Sequence, residues 1–343
     1  LMPLWNVPLL ERILRLLEGW GVERIAVNLH SQPEAIRAFL DRRNGKASIR
    51  TSYEPEILGT AGALRPLRSF LGAEPFWVVN ADIAARVAAE PLLQAFAAGD
   101  GLAAAWLEPK KGPRTVEADR RGRITCYRSP TPGVPGTFTF CGLQLVSPRI
   151  FEFLPERPFC TLVEAYEHAL EHGVCVQGVA VKDSFWDDAG TVEAYLRLHG
   201  QKSEVGGQRS EVGGQRSAVR GQRSEVSGQR SEVRGQRSEV GGRKVGMGVW
   251  VSEGAEVASD VRGRRSVVYG GARVLPGSIL KGCVIGGGCV GGRLDGVVCV
   301  AASDAGDDAL PDALDALGWS PCETAAAFLG TRGSDRSFWR LFH

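Results

Sequence analysis

The chain has no run of about 18 apolar residues, so it offers no candidate for a membrane-spanning helix. It has no strong charge of either sign. At a formal net charge of +2 it implies neither nucleic acid nor an acidic surface as partner. No C-x-x-C pair occurs among its eight cysteines (Cys126, Cys141, Cys160, Cys175, Cys283, Cys289, Cys299 and Cys322), which excludes a zinc knuckle and a dithiol redox motif. Most of these cysteines sit among apolar neighbours, where a free thiol acts as a small hydrophobe. That favours a reducing, cytoplasmic setting. Residues 245–300 contain no histidine, so an acyltransferase built on that segment would lack its base.

What is present is ordinary globular material. With 343 residues, 43% hydrophobic and 23% charged, the chain has room for two or three domains. The first 200 residues alternate helical and extended patterns. Pro8–Trp20 reads as an amphipathic helix, with Leu9, Ile13, Leu16, Leu17 and Trp20 at helical spacing. "RIAVNLH" (Arg24–His30) and "IRTSY" (Ile49–Tyr53) read as strands. Between them "SQPEAIRAFL" reads as a helix with Ser31 as N-cap and Pro33 in its first turn. "FWVVNADI" (Phe76–Ile83) reads as a buried strand, and "TFTFCGLQLVSPRIFEFL" (Thr137–Leu154) as a strand followed by a helix from Ser147–Pro148. This order predicts an α/β domain over residues 1–199, a parallel sheet with helices on both faces and ligands at the carboxyl ends of its strands.

Residues 200–241 are six tandem seven-residue copies of the GQRSEVG type. Each copy has one valine and one or two glycines, so no coiled-coil seam forms, and a disordered linker over 200–243 is expected. In residues 244–300, "VSEGAEV", "VYGGARV" and "IGGGCV" place Val251, Val268 and Ile285 at a spacing of 17. Small aliphatics recurring near every sixth position predict a short left-handed parallel β-helix of about three coils. A Gly/Val-rich loop is the rival reading. The tail, 301–343, turns acidic, then helical, and ends like the opening strands of another domain.

Three stretches carry candidate chemistry. In "LGTAGALR", Gly59 and Gly62 would let backbone approach a ligand, Thr60 offers a hydroxyl, and a helix over Gly62–Phe70 would aim N–H groups at an anion; a plain strand-to-helix turn reads equally well. In "VVNADI", Asn80 and Asp82 end a strand, where an aspartate suits Mg²⁺ beside phosphate oxygens or caps the next helix. In "SFWDDAGTVEAY", Asp187 or Asp188 supplies a second carboxylate or caps the helix Val192–His199. Gly142, inside a strand, marks a ligand's close approach or a bulge. Two separated acids and a glycine-rich turn fit nucleotidyl transfer better than hydrolysis of a neutral substrate.

The segments "LMPLWNVPLLERIL", "EPEILGTAGALR", "VVNADI", "TFTFCGLQLVSPRIFEFL" and "FWDDAGTVEAYLRLH" occur in the order found in sugar-1-phosphate nucleotidyltransferases, and Leu1–His199 resembles that family. Its members include mannose-1-phosphate guanylyltransferases and N-acetylmuramate-1-phosphate uridylyltransferases. The resemblance implies a Rossmann-like fold that joins a sugar 1-phosphate to a nucleoside triphosphate with release of pyrophosphate. It implies that Leu58, Gly59, Thr60, Ala61 and Gly62 contact the nucleotide. It also implies that Asn80 and Gly142 line the sugar site, and that Asp82 and Asp188, rather than Asp187, are catalytic ligands of Mg²⁺. The family's first strand, phosphate loop and lysine have no counterpart before "LMPLWNVPLL", so a truncated and impaired enzyme is expected. The family's Glu-Lys-Pro motif is replaced by "CYRSPTP" (Cys126–Pro132), with Arg128 as a substitute.

The tail "FLGTRGSDRSFWRLF" (Phe328–Phe342) resembles the opening of aminoglycoside-phosphotransferase-like kinases. A kinase start there points to uridine and an N-acetylated amino sugar of the cell wall, with guanosine and mannose second. Packing of β-helix domains together would make a homo-oligomer. The alternative function is a non-catalytic nucleotide- or sugar-phosphate-binding regulatory or assembly protein of the same fold.

Overall fold

A computed structural model describes residues 2–99, 101–200, 242–245, 248–305, 309–331 and 337–342. Of the expected linker, residues 200–243, positions 201–241 lie outside the described residues, as does the Gly-Ser-Asp turn of the tail; Gly200 belongs to a helix and Gly242–Arg243 to a strand. The chain divides into two compact units: Leu1–Leu198 with Ser303–Asp312, and His199–Ala302 with Ala313–His343.

The first unit opens with a two-residue antiparallel pair, β1 (Pro3–Leu4) and β2 (Val7–Pro8), before helix α1 (Leu9–Gly19). The helix buries Leu9, Ile13 and Leu17 of the expected stripe and Leu14 besides, whereas Leu16 and Trp20 are only partly buried against the same core. Next come β3 (Arg24–Leu29), α2 (Pro33–Asp41) and β4 (Ser48–Tyr53), with β3 and β4 parallel and in register from Arg24/Ser48 to Leu29/Tyr53. Ser31 does not cap α2. The N-cap is Gln32, in a left-handed conformation with no side-chain bond, and Pro33 starts the helix with its φ already set.

The glycine-rich stretch is not one helix. It breaks into α3 (Gly59–Gly62), a 3₁₀ turn at Arg65–Leu67 and α4 (Arg68–Leu71), because Pro66 lacks the N–H a continuous helix needs. Strand β5 (Phe76–Val79) and strand β6 (Ile83–Arg86) flank the turn at Asn80–Asp82, and α5 (Glu90–Ala97) follows.

Strands β7 (Ala103–Glu108), β8 (Val116–Ala118), β9 (Ile124–Cys126), β10 (Thr137–Val146) and β11 (Val176–Val179) form the main sheet with β5. The sheet is mixed rather than parallel: β10 runs antiparallel to β5, β7 and β8, and only β11 is parallel to its neighbour β7. The long connection from β7 to β10 contains its own hairpin, β8–β9, so β10 returns alongside β7 without a helical crossover. Helix α6 (Leu162–Glu171) is fastened by a capping box between Thr161 and Glu164.

Two cores cover the two faces of this sheet. Ala103, Ala105 and Leu107 of β7 face Leu162, Ala165, Tyr166 and Ala169 of α6. Ala104 and Trp106 face Ile13, Leu14 and Leu17 of α1 and Leu92 of α5. The alternation is the period of two that a strand imposes. Strand β12 (Phe185–Asp188) pairs antiparallel with β6, and α7 (Val192–Gly200) ends the unit.

The second unit is built from short strands: β13 (Gly242–Val245), β14 (Val249–Ser252), β15 (Glu256–Val257), β16 (Arg262–Arg264), β17 (Ser266–Val268), β18 (Ala272–Val274), β19 (Ile279–Lys281), β20 (Val284–Ile285), β21 (Gly288–Val290), β22 (Arg293–Asp295) and β23 (Val298–Ala301). They stack in three parallel ladders: β14–β17–β20–β23, β15–β18–β21 and β16–β19–β22. Val251 pairs with Val268 and Val268 with Ile285, so the 17-residue repeat is one circuit of the three faces. Val251, Val268, Val274, Leu280, Ile285 and Val290 form the interior. The tail supplies helix α8 (Ala309–Leu317) and a hairpin, β24 (Ala325–Thr331) and β25 (Ser337–Phe342). β24 pairs antiparallel with β23, and Ala325 and Ala327 join the same core.

Candidate active site

Strand β5 ends at Val79, and the next three residues turn before β6 begins. Because β6 pairs with β12 in the register Ile83↔Asp188, the turn at Asp82 lies against the end of β12. The Ala189 N–H donates to the Asp82 carbonyl at 2.9 Å and closes this corner. A Cβ placed on Gly190 would lie 3.1 Å from Asp188 Oδ1 and 3.2 Å from Asp82 Oδ2, so the two carboxylates converge on one point. The Gly190 N–H donates to Asp188 Oδ1 at 2.8 Å and steadies that side chain. Crowding by the surrounding chain, and then the Asp188 charge, push the Asp82 carboxyl above the usual aspartate range.

Asp187 has a different task. It is buried, and its Oδ1 accepts a 2.6 Å bond from Arg197 Nη2 of α7. Asp188 is half-buried and open to the Asp82 side.

Gly142 sits at φ +72° where the pairing of β10 with β7 slips between Phe140 and Gln144. A Cβ there would lie 2.8 Å from Asn80 Nδ2, and the Asn80 N–H donates to the Gly142 carbonyl at 2.7 Å. Of the two sequence alternatives the bulge is present, and the group that comes close to Gly142 is the Asn80 side chain. Asn80 and Gly142, expected to share a substrate site, are therefore adjacent.

The glycine-rich turn departs from expectation. Gly59 has φ +75°, and a Cβ on it would lie 2.5 Å from the Cys160 carbonyl oxygen. A Cβ on Gly62 would lie 2.4 Å from the Pro158 carbonyl oxygen. The N–H groups of Ala61 and Gly62 both donate to Cys160 O, at 3.0 and 3.1 Å, and are not available to an anion. Thr60 Oγ1 accepts the Leu162 N–H at 3.0 Å. The glycines thus admit the 158–162 backbone, and Ala61 and Gly62 are buried. Gly59 and Thr60 still reach the cavity described next.

That cavity measures about 770 Å³. Its polar wall includes Glu23, Arg24, Asn28, Glu54, Gly59, Thr60, Asn80 and Asp82, and most of the rest is apolar. Sequence reading passed over Asn28 and Glu54. Glu54 is 2% exposed, accepts from Asn28 Nδ2 at 3.0 Å and from the Leu58 N–H at 3.1 Å, and so holds the end of β3 to the start of the glycine turn. The available signal was a polar residue at the end of each of two strands. Arg128, the suggested substitute for a missing lysine, pairs instead with Glu167 of α6 at 3.3 Å.

Two convergent carboxylates suit Mg²⁺, a hard cation often held by one or two acids plus substrate phosphates. Asp82 and Asp188 are the residues that would hold it. Among the described residues, no group of three His, Cys, Asp or Glu side chains forms a fuller metal cage.

Mannose-1-phosphate guanylyltransferase 1 of Arabidopsis thaliana is 26% identical over 202 residues, covering 56% of this chain and 55% of that protein. The low-salt glycan biosynthesis nucleotidyltransferase Agl11 of Haloferax volcanii is 24% identical over 209 residues, covering 58% of each chain. The chain thus spans just over half the length of these curated relatives. A crystal structure of a putative glucose-1-phosphate thymidylyltransferase from Bacillus anthracis shares the fold at a TM-score of 0.51 and 19% identity, over 60% of this chain and 86% of that one. The nucleotidyl transferase family profile matches residues 1–204, and the chain belongs to that family.

Proposed function

We propose that the first unit binds a nucleoside triphosphate and a sugar 1-phosphate beside Asp82 and Asp188 and joins them as a nucleoside diphosphate sugar. The observation that carries this is the convergence of the Asp82 and Asp188 carboxylates on Gly190, next to the Asn80–Gly142 contact. In the reaction a sugar-phosphate oxygen attacks the α-phosphorus, the bond to the β-phosphate oxygen breaks, and pyrophosphate leaves with that electron pair. The chain contributes mainly position. Asn80 offers an amide to the sugar, and Gly142 keeps the backbone close behind it. Gly59 and Thr60 shape the nucleotide side, with Leu58, Ala61 and Gly62 as the framework of that turn. Mg²⁺ on Asp82 and Asp188 would neutralise phosphate charge and favour the leaving pyrophosphate.

The reading includes impaired turnover. The apolar cavity runs up to Asp82, so the floor of the site lacks the packing that fixes side chains. Uridine with an N-acetylated amino sugar is the first choice of substrate pair, on the kinase-like reading of residues 301–343, and guanosine with mannose is second. The stacked ladders of the second unit are read as a left-handed β-helix.

A thermal-shift panel of UTP, GTP, dTTP, CTP and ATP, each with and without Mg²⁺, tests this. Stabilisation by one nucleotide only with Mg²⁺ supports the reading and names the base. Stabilisation without any pyrophosphate release on adding sugar 1-phosphates favours the non-catalytic alternative. No stabilisation by any nucleotide or by a sugar 1-phosphate defeats both.

A further inference from the structure

Two of the five histidines stand one turn apart at the end of α6, and the proposed reaction uses neither. His168 lies in the last turn of the helix, and His172 is its C-cap residue. Their rings meet at right angles, with centres 4.6 Å apart and planes at 88°. His168 is half-buried beside Phe153, whose ring centre is 6.0 Å away, and His172 is exposed.

Both imidazoles are held in the same way. His168 Nδ1 lies 3.1 Å from the carbonyl oxygen of Phe153, which follows the 3₁₀ turn Pro148–Glu152. His172 Nδ1 lies 2.8 Å from the His168 carbonyl oxygen. A carbonyl only accepts, so Nδ1 carries the hydrogen in both rings. Each neutral ring then keeps its lone pair on Nε2. Metal-binding histidines receive this same support, because an Nδ1–H bonded to a carbonyl fixes the ring and makes Nε2 more basic. A side chain that merely caps the helix accounts for the His172 bond. It does not account for a second imidazole beside it, pinned in the same tautomer.

Spacing and field agree with this reading. Residues four apart share one face of a helix. Two imidazoles bound to one ion through Nε2 at about 2.1 Å have ring centres roughly 4.5–5.5 Å apart in cis or tetrahedral positions. The 4.6 Å separation falls in that range. The C-terminal end of a helix also carries partial negative charge and favours a cation. Among the described residues no third His, Cys, Asp or Glu completes a cage, so the ion would keep water at its other positions.

We propose that His168 and His172 hold a divalent ion of the zinc, nickel or copper class through Nε2. Imidazole suits these ions, whereas Mg²⁺ seeks oxygen and belongs with Asp82 and Asp188. The bound ion would clamp the last turn of α6. The front of that helix supports the glycine turn, where the Leu162 N–H donates to Thr60 Oγ1 at 3.0 Å. The inference rests on α6 alone and stands whether or not the first unit transfers nucleotides.

The test is a calorimetric titration of the full chain with Ni²⁺ in excess Mg²⁺. A site of one ion per chain is expected, with Zn²⁺ competing for it. His168→Gln and His172→Gln should each weaken binding about tenfold or more. His30→Gln is the control, because His30 Nδ1 also faces a carbonyl, that of Glu54 at 2.8 Å, with no second imidazole beside it among the described residues. It should bind as the native chain does. Urea midpoints without metal check that each variant folds. In the native chain, Ni²⁺ should slow amide exchange over residues 168–173, a readout that needs no variant. Equal binding by the native chain and both α6 variants would put the ion on other groups and overturn the proposal. So would a loss in only one folded variant, displacement by Mg²⁺, unchanged exchange at the end of α6, or no binding.

Discussion

Asp187 and Asp188 are consecutive in β12 and point to opposite sides of it: Asp187 is buried against Arg197 at 2.6 Å, whereas Asp188 meets Asp82 at Gly190. The strand's period of two makes one structural and leaves the other for chemistry. Replacing each separates the roles. Asp187→Ala removes a charge-assisted bond from a buried carboxylate and should cost about 1–3 kcal/mol, read as a lower midpoint in urea. Asp188→Asn should leave the midpoint nearly unchanged and abolish Mg²⁺-dependent stabilisation by nucleotide. If Asp187→Ala alone removed the nucleotide effect, the assignment of the two acids would be reversed.

A second prediction concerns acid stability. Glu18 of α1 accepts from Arg43 at 2.7 Å and from the N–H groups of Lys46 and Ala47 at 2.8 and 2.9 Å. These bonds, that from Arg43 first, hold its carboxyl at about 2, down from 4.5. A depressed folded-state value means that the stabilisation is present above the unfolded value and fades as pH falls. The stability difference between the native chain and Glu18→Gln should therefore be full at pH 7, shrink below about pH 5 and vanish near pH 2. Arg43 also bonds Glu11 at 2.6 Å, so Arg43→Ala removes a buried guanidinium shared by two acids and should cost about 3 kcal/mol at neutral pH. Urea titrations across this range decide both points.

Most of the first unit was legible because its elements carry clean periods. The stripe Leu9–Ile13–Leu17 and the run Arg24–Leu29 have one reading each. The mixed direction of the sheet was not legible, since nothing local in Thr137–Val146 says that β10 returns against β7 rather than crossing over. Asp82 and Asp188 were legible as acids at strand ends, and their meeting required the β6–β12 register. The glycine turn kept two readings in the sequence for a physical reason. A glycine records only that something comes close, and at Gly59 and Gly62 that something is the Cys160 and Pro158 carbonyls. In the second unit the 17-residue spacing of Val251, Val268 and Ile285 was the pairing register itself. Arg43 gave no signal, because its partners Glu11 and Glu18 are 32 and 25 residues away.

Gly59 yields a third prediction. Alanine there must adopt φ +75° and place a Cβ 2.5 Å from a backbone oxygen that cannot move alone. Strain and clash together should cost about 2 kcal/mol or more. Thr60→Ala, by contrast, removes only the acceptor for the Leu162 N–H at 3.0 Å and should cost about 1 kcal/mol. Equal midpoints for the two variants would show that the turn yields easily and that its glycines are not required by the fold.

The last prediction sets stability against ligand binding at Asp82. Desolvation and the Asp188 charge raise its carboxyl above the usual value, so the folded state favours the protonated form. A raised aspartate contributes stability at acid pH and loses it as pH rises through the folded value; at pH 7 the charged group opposes folding. Asp82→Asn keeps the shape and removes the charge. It should therefore raise the melting temperature of the ligand-free protein at pH 7, and the gain should disappear in acid, where the native group is already neutral. The same variant should lose the Mg²⁺-dependent shift with nucleotide, because one of the two convergent acids is gone. A variant that melts lower at pH 7, or that keeps the Mg²⁺-dependent shift, contradicts the reading of Asp82 as a strained acid kept for binding.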